Sequence, residues 1–328
     1  MKENILIIDD KGTERVIRPQ FEKARVTKPT PDTPKTLSEL LETLDTLHQK
    51  KKEFEFLKDE ISVKVESPTP FFYICFLSDI HFDREGFDAP AFKQYLEAIK
   101  NYPIYTVLVG DIGSYFSPTR HPRGMLEGVV TPDEQVVIVR SFLKEYQDKI
   151  LGCVMGNHEY FVNESSGIEI ARWMTQDLHV PLLKNGGLLH LQVNEQDYDI
   201  YLFHKIARYY SSLNLTNALR RAMELGRDAD MVVCGHKEIG AMEKVVHQNK
   251  KPFLLQLGSF KKEDRFEREM GMIPNPQVFY PVVRFRGDKR NIEATEDLKT
   301  ALEEIEAIEY FFRMVAVGML GNREKVRT

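Results

Sequence analysis

The sequence predicts an α/β fold, in which strands and helices alternate along the chain. Six short apolar runs are dense in β-branched and aromatic residues and lack polar alternation, which is typical of strands buried on both faces. Segments with the three- and four-residue periodicity of amphipathic helices separate several of these runs. Such alternation favours a layered α/β architecture. The predicted strands occupy residues 71–78, 105–110, 150–156, 199–203, 230–235 and 253–258.

The composition is that of an ordinary globular protein. The chain has 328 residues, of which 42% are hydrophobic and 29% charged, so it has enough apolar surface for a sizeable core. The formal net charge of −5 provides no overall basic field for nucleic acid or an anionic membrane, although local basic patches remain open. We find no signal-peptide pattern, no run long enough to span a bilayer, and too few cysteines for a disulfide framework. We therefore expect a cytoplasmic protein with reduced thiols and no membrane contact.

The N-terminal region predicts small accessory elements. Ile5–Ile8 and Glu14–Ile17 read as a short β-hairpin. Residues 26–36 contain three prolines and favour an extended linker. From Thr36 onward, leucines at three- and four-residue intervals predict a helix, which ends before an alternating strand pattern over residues 61–65.

The remaining helices divide the chain into three predicted regions. Helical periodicity is clear over residues 92–100 and 134–146, and a final helix is predicted from 293 to about 319. The predicted regions are an accessory hairpin, linker and helix at 1–70, a central domain at 71–285, and a C-terminal helix at 286–328.

Metal-type donors follow five of the predicted strands, at the point where each strand ends. In open α/β sheets ligands bind beyond the carboxyl ends of the strands, so these side chains are expected to converge on one rim. Each donor alone has an ordinary alternative, since Gly-Asp and Gly-Asn are common turns and a single histidine is usually structural. The whole set of oxygen and nitrogen donors favours a metal site instead. The residues are Asp79, His81, Asp111, Asn157, His158, His204 and His236.

The order and spacing of these residues resemble the calcineurin-like metallophosphoesterase superfamily. The matching blocks lie between residues 71 and 285 and are Asp79-Ile80-His81, Gly110-Asp111, Gly156-Asn157-His158-Glu159, the single His204 and Gly235-His236-Lys237-Glu238. The resemblance implies a sandwich of two mixed β-sheets flanked by helices, here with N-terminal and C-terminal helical additions. It also implies a metal-dependent phosphoesterase. The added N-terminal segment resembles phage-encoded members, whose location would be the host cytoplasm.

The resemblance implies a role for each donor. Two divalent ions would clamp a phosphate and lower the pKa of a bridging water, so that hydroxide attacks the phosphorus. Mixed oxygen and imidazole donors suit Mn²⁺ best, with Fe, Zn²⁺ and Mg²⁺ as alternatives. His158 would be free of metal and catalytic, either as general acid or as a group that stabilises the transition state. The implied ligands are Asp79, His81 and Asp111 for the first ion, and Asp111, Asn157, His204 and His236 for the second.

One candidate ligand departs from the superfamily's pattern. Glu238 stands where the last histidine belongs. It either binds the first ion, which favours harder metals such as Mn²⁺, or faces away. Two-residue spacing in an extended segment puts Glu238 on the side of His236, just as it puts Asp79 on the side of His81, and this favours the ligand role.

The function that these motifs favour is hydrolysis of a nucleic-acid or nucleotide phosphodiester. The alternatives are a phosphomonoesterase acting on nucleotides or proteins, and a non-catalytic metal-binding scaffold. Ser114 stands where protein phosphatases of the superfamily have an aspartate, and no Asp-Arg-Gly block follows, which disfavours a Ser/Thr protein phosphatase. The same change leaves His158 without an evident carboxylate to orient it. Retention of His158 and of the core donors argues against an inactive scaffold.

Substrate and partner residues are predicted from exposed patterns. The loop over residues 114–128 places basic side chains near the expected metal rim, where they would hold a phosphodiester, with a solvated loop as the alternative. The apolar stripes of the two terminal helices need cover, so one is expected to pack on the central domain and the other to form a homodimer contact, unless both cover the core. The candidate substrate-binding residues are Arg120, His121 and Arg123, with Lys205 and Arg208 as a second pair.

Overall fold

Two compact units, residues 1–54 and 55–328, make up the chain. The computed structural model describes residues 5–8, 14–17, 36–53, 57–116, 122, 124–126, 128–206, 214–224, 228–247, 250–262, 269 and 278–325. The three-region division predicted from the sequence stays a prediction about domains.

The first unit contains one strand pair and one helix among its described residues. Strand β1 (Ile5–Ile8) pairs antiparallel with β2 (Glu14–Ile17), which confirms the predicted hairpin pairing. Helix α1 (Leu37–Glu53) follows. Thr36 starts this helix, because its hydroxyl accepts the backbone N–H of Glu39 at 3.3 Å and the Glu39 carboxylate accepts the N–H of Thr36 at 2.7 Å. The predicted linker, apart from Thr36, lies outside the described residues.

A mixed sheet of eleven strands dominates the described part of the second unit. The strands are β3 (Lys58–Val65), β4 (Phe71–Leu77), β5 (Ile104–Val109), β6 (Ile150–Val154), β7 (Leu182–Val193), β8 (Gln196–Phe203), β9 (Met231–Cys234), β10 (Ala241–Lys244), β11 (Phe253–Gln256), β12 (Val282–Arg286) and β13 (Ile292–Thr295). Their order is β10-β11-β9-β8-β7-β6-β5-β4-β12-β13, and β3 pairs with β7. The predicted α/β class and all six predicted strands are confirmed, with the sheets of the expected sandwich joined into one curled, hydrogen-bonded sheet.

Strand β7 joins two blocks of parallel strands. One block is β4-β5-β6 and the other is β8-β9-β11. The end of β6 pairs with the start of β7, where Val154 lies opposite Leu183, and the last residue of β8, Phe203, lies opposite Gly186. Because both pairings fall at the beginning of β7, the carboxyl ends of the two blocks meet there.

Six helices accompany the sheet in the described residues. Helix α2 (Ala89–Asn101) and helix α3 (Pro132–Tyr146) begin at polar caps, because Asp88 accepts the N–H of Ala91 and Thr131 forms a reciprocal capping box with Glu134. The two helices confirm those predicted over 92–100 and 134–146. None of the described helices combines the length and apolar character that a bilayer span requires. The helices are α2 (Ala89–Asn101), α3 (Pro132–Tyr146), α4 (Asn157–Ser166), α5 (Ile170–Thr175), α6 (Asn217–Glu224) and α7 (Leu298–Lys325).

The predicted start of the final helix, residue 293, is wrong. Residues 292–295 form β13, which pairs antiparallel with β12 and places Ile292 opposite Phe285. Helix α7 begins only at Leu298, after Asp297 accepts the backbone N–H of Thr300 at 2.8 Å. A turn over Gly287 brings this short segment beside the free edge of β12. The backbone pairing that results outweighs the helical periodicity of its sequence.

Tyr280 ties the core to the ends of two strands. Its buried hydroxyl donates to the carbonyl oxygen of Ser78, after β4, and lies 3.1 Å from that of Gly258, after β11. We expect Tyr280→Phe to lower the free energy of unfolding by about 1–3 kcal/mol, because two buried carbonyl groups lose this donor. Urea denaturation measures the change, and Tyr310→Phe, at a position 65% exposed, is the control. Equal stability of the two variants would contradict this role.

Candidate metal centre

The predicted donors lie together where the two blocks of parallel strands meet. Asp79, His81, Asp111 and His204 are all at most 3% exposed. Their ligand-type atoms, with those of three neighbours, form groups in which all atoms lie within 4.8 Å of one another. The three groups are Asp79, His81 and Glu238; His81, Asp111 and His158; and Asp111, His204 and His236.

The backbone at this junction is left-handed rather than extended. The expectation that two-residue spacing along an extended strand end aligns Asp79 with His81, and His236 with Glu238, is therefore wrong. The strands stop earlier, and the chain turns through conformations that cost about 1–3 kcal/mol each for residues with a side chain. The φ values are 48° at Asp79, 46° at His81, 52° at Asp111, 70° at His236 and 57° at Glu238. Five candidate ligands thus carry backbone strain, which favours a functional reason for the turns.

Asp111 is the donor that the other groups share. Its Oδ2 lies 2.9 Å from His204 Nε2, 3.7 Å from His158 Nε2 and 4.0 Å from His81 Nε2. Its Oδ1 accepts the backbone N–H of His158 at 3.0 Å. Burial opposes ionisation of this carboxyl, but the nearby imidazoles hold the pKa of Asp111 well below its ordinary value. The carboxylate is therefore charged at the centre of the cluster.

The surroundings of His204 fit a cation. Its Nδ1 lies 2.8 Å from the carbonyl oxygen of Val109, to which it donates. Its Nε2 faces two acceptors, Asp111 Oδ2 at 2.9 Å and Asn157 Oδ1 at 3.0 Å. Burial disfavours a charged ring, yet the Asp111 carboxylate raises the pKa of His204 to about 10, so without metal a proton occupies this position. A divalent ion would satisfy the same three atoms.

The surroundings of Asp79 fit a cation as well. Its Oδ2 accepts the hydroxyl of Ser78 and the backbone N–H of His236 at 2.8 Å. Its Oδ1 is buried and has no hydrogen-bond partner among the described residues. Burial raises the pKa of Asp79 to about 8. Such an uncompensated carboxylate oxygen, in one group with His81 and Glu238, is the donor that a metal ion completes.

The histidines without a strong carboxylate partner are ready to act as ligands. Burial lowers the pKa of His81 well below its ordinary value and that of His236 to about 4. Both rings are therefore neutral near pH 7, and a neutral imidazole offers a lone pair to a metal.

A backbone carbonyl, and not a carboxylate, orients His158. Its Nδ1 lies 2.7 Å from the carbonyl oxygen of Ser114, to which it donates, so Nε2 is the atom turned towards Asp111. The Ser114 hydroxyl lies 3.1 Å from His81 Nδ1. Phe116 and Phe161 hold the ring in place, with centroids 5.1 and 4.8 Å away. Ser114 thus positions both His158 and His81. A serine in the sequence gives no signal of this role.

Glu159 braces the junction through backbone groups. Its buried carboxylate accepts the N–H groups of Asp111 at 3.0 Å, Ile112 at 2.9 Å and Gly156 at 2.9 Å. Burial raises the pKa of Glu159 to about 7. The sequence marks it only as the last residue of the Gly-Asn-His-Glu block.

Glu238 points into the first donor group. Its Oε1 lies 3.8 Å from His81 Nε2, and its Oε2 lies 2.6 Å from Lys261 Nζ. Lys261 was missed in the sequence because it lies more than twenty positions downstream. Four of the five predicted substrate-binding residues lie outside the described residues, namely Arg120, His121, Arg123 and Arg208. The fifth, Lys205, is described and exposed.

Fold and site together define a metal-dependent phosphoesterase, with buried oxygen and nitrogen donors at the strand ends of a mixed α/β sheet. A family model for calcineurin-like phosphoesterases matches residues 72–237, just over half of the chain. The protein belongs to the calcineurin-like phosphoesterase family. No curated protein matches the chain.

Similar solved structures have low sequence identity to this chain. Vacuolar protein sorting 29 from Cryptosporidium parvum is 13% identical, with 69% of this chain and 98% of that chain covered and a TM-score of 0.39. A metallophosphoesterase from Sphaerobacter thermophilus is 12% identical, with 69% and 88% covered and a TM-score of 0.37.

Gly156 allows the close approach of two strand ends. A Cβ at this position would overlap the backbone nitrogen and Oδ1 of Asp111. We expect Gly156→Ala to lower the free energy of unfolding by about 1–3 kcal/mol, because the backbone must shift to relieve the overlap. Gly128→Ala is the control, since a Cβ there would meet nothing closer than 3.6 Å. Thermal unfolding of both variants checks the prediction, and an unchanged midpoint for Gly156→Ala would refute it.

Proposed function

We propose that this protein is a phosphodiesterase that hydrolyses a nucleic-acid or nucleotide phosphodiester with two divalent metal ions. The observation that carries the proposal is the sharing of Asp111. Its Oδ2 lies 4.0 Å from Nε2 of His81, a member of the first donor group, and its carboxylate forms another donor group with His204 and His236. A carboxylate with donors on two sides is suited to bridge two cations.

The chain's donors suit two adjacent ions of the harder kind. Bound there, the ions would supply the Lewis acidity that polarises a phosphoryl group and activates a water. Carboxylate, amide and imidazole donors together favour Mn²⁺. The proposed ligands are Asp79, His81, Asp111 and Glu238 for the first ion, and Asp111, Asn157, His204 and His236 for the second.

His158 is proposed to hold the proton that the leaving group receives. Because Nδ1 donates to the Ser114 carbonyl, the exchangeable proton belongs at Nε2, on the side of Asp111. The ring is partly exposed, with 15% of its side-chain surface accessible, so a substrate can reach it. A proton delivered to the departing alkoxide lowers the barrier to breaking the P–O bond.

The charges beside the first donor group favour a diester over a monoester. A monoester is close to dianionic at neutral pH and is commonly held by unpaired Arg or Lys side chains. Two cations beside the first donor group in the described residues already have partners. Lys261 pairs with Glu238 at 2.6 Å, and Arg84 lies 4.9 Å over the ring of Phe116 and donates to the Gly124 carbonyl. A singly charged diester needs less compensation from side chains.

A panel of substrates tests the proposed function. The Mn²⁺-loaded protein should hydrolyse bis(p-nitrophenyl) phosphate faster than p-nitrophenyl phosphate, and one of cyclic nucleotides, single-stranded DNA, duplex DNA or RNA should be cleaved. Asp111→Asn is the control, because it removes the shared donor. Faster turnover of the monoester would favour a phosphomonoesterase. Metal binding without turnover of any substrate would favour a scaffold.

We expect His158→Ala to retain metal and fold while lowering kcat by roughly 10²- to 10⁴-fold, the usual share of a general acid. The loss should be smaller with a good leaving group such as p-nitrophenolate, because that group departs without a proton. Rates on aryl diesters of graded leaving-group pKa measure this dependence. His179→Ala, at an exposed histidine, is the control. An equal loss for good and poor leaving groups would assign His158 to phosphate binding instead.

We expect Glu238→Ala to weaken Mn²⁺ binding at one of two sites by roughly tenfold or more, the size seen when groups around a metal are lost. Isothermal titration with Mn²⁺ measures the change, with Glu85→Ala at an exposed position as the control. Glu238→His should restore binding and shift the preference towards Zn²⁺, because an imidazole is the softer donor. An unchanged Mn²⁺ titration of Glu238→Ala would remove this residue from the site.

A further inference from the structure

A cavity of about 210 Å³ lies beside the metal centre. Its walls combine apolar and polar groups, and one wall, Phe116, also packs against His158 with ring centroids 5.1 Å apart. Residues of the turn before α3 and the first turn of that helix close the other side. The residues that form its walls and floor include Asp83, Phe116, Val129, Val130, Pro132 and Gln135.

Asp83 brings an unsatisfied carboxylate oxygen to this cavity. The residue is 1% exposed, and its Oδ1 accepts the backbone N–H of Ser114 at 2.8 Å. Its Oδ2 is buried and has no hydrogen-bond partner among the described residues. Gly128 also lines the cavity, and a Cβ there would lie 3.9 Å from Oδ2, so no side chain stands between this oxygen and the space beside Gly128. Burying such an oxygen without a donor is costly.

The cavity is larger than the space that one water molecule, hydrogen-bonded to the Asp83 carboxylate, would fill. One water takes about 30 Å³ of liquid, several times less than the space present. A cavity with the Phe116 ring on one wall and an unsatisfied buried acceptor beside it suits a planar ring that carries an N–H donor.

The cavity is coupled to the reaction site through one residue. The Ser114 N–H binds Asp83 at 2.8 Å, and the Ser114 carbonyl accepts from His158 Nδ1 at 2.7 Å. A group in the cavity therefore lies next to the histidine proposed to protonate the leaving group. This position suits a substituent of the substrate itself.

We propose that the cavity is a nucleobase subsite in which Asp83 Oδ2 accepts a hydrogen bond from the exocyclic amino group of cytosine or adenine. This inference rests on the proposed function and names its substrate class. In its ionised form Asp83 can only accept, so uracil and hypoxanthine, which present a carbonyl oxygen at the same place, are rejected. The subsite thus selects amino-bearing bases.

Asp83→Asn reverses this selection. The amide oxygen must stay on the Ser114 N–H, because an amide nitrogen cannot accept that bond. The amide NH₂ then replaces Oδ2 and donates into the cavity. The variant should prefer uracil, and the shape of the cavity is unchanged.

The experiment compares kcat/KM for the p-nitrophenyl esters of cytidine and uridine 5′-phosphate, with the Mn²⁺-loaded full chain. The native protein should prefer the cytidine ester by roughly tenfold or more, the effect of one hydrogen bond to a charged group, and Asp83→Asn should prefer the uridine ester. Glu85→Gln, the same acid-to-amide change at an exposed position, should keep the native preference. The same cytidine-to-uridine ratio in the native protein and in Asp83→Asn would overturn the subsite.

A second measurement separates this inference from the proposed function. The shift of the unfolding midpoint caused by cytidine and uridine monophosphates reports binding without turnover. If bis(p-nitrophenyl) phosphate is not hydrolysed, the proposed function fails, but the midpoint shifts still decide the subsite. A larger shift with cytidine monophosphate, reversed in Asp83→Asn, supports it, and equal shifts refute it.

Discussion

The site depends on the way in which β7 joins the two blocks of parallel strands. The end of β6 and the end of β8 both pair with the first residues of β7, so carboxyl ends that are far apart in sequence meet at one place. Close packing there leaves no room for side chains at Gly110 and Gly156, where a Cβ would overlap His204 and Asp111. The glycines of the motifs therefore allow the strand ends to pack closely, and the residues that follow them carry the candidate ligand atoms.

This convergence creates an electrostatic problem that a metal solves. The carboxyl groups of Asp79, Asp111 and Glu238 and the imidazoles of the site point inward. Other atoms of the same side chains are already bonded to backbone groups or to the side chains of Ser114 and Lys261. Asp79 Oδ1 has no hydrogen-bond partner among the described residues, and Asp111 Oδ2 and Asn157 Oδ1 share the single ring atom His204 Nε2. A cation is the group that all of these atoms share.

The sequence predicts the strands, and it predicts which residues meet at the candidate site, because both depend on local signals. An apolar run followed by Gly-Asp or Gly-Asn-His marks a buried strand and its end without knowledge of the partner. The roles of Ser114 and Asp83 were not predictable, because they act through a backbone carbonyl and a backbone N–H. The left-handed turns were missed for a related reason, since contacts distant in sequence, such as His236 N–H to Asp79, stabilise them. The start of α7 was missed because the edge of β12 overrides local periodicity.

The pairing of Glu238 with Lys261 changes the meaning of the one departure from the family's pattern. Taken alone, a glutamate in place of a neutral histidine adds one negative charge to the first donor group and predicts a more anionic site. Lys261 Nζ lies 2.6 Å from Glu238 Oε2, and its side chain is 9% exposed, so its positive charge is held at the site. The negative charge of Glu238 and the positive charge of Lys261 cancel. The net charge of the group is therefore the same as it would be with a neutral histidine at position 238. What distinguishes the site is then the donor atom, an oxygen in place of a nitrogen, and not its total charge.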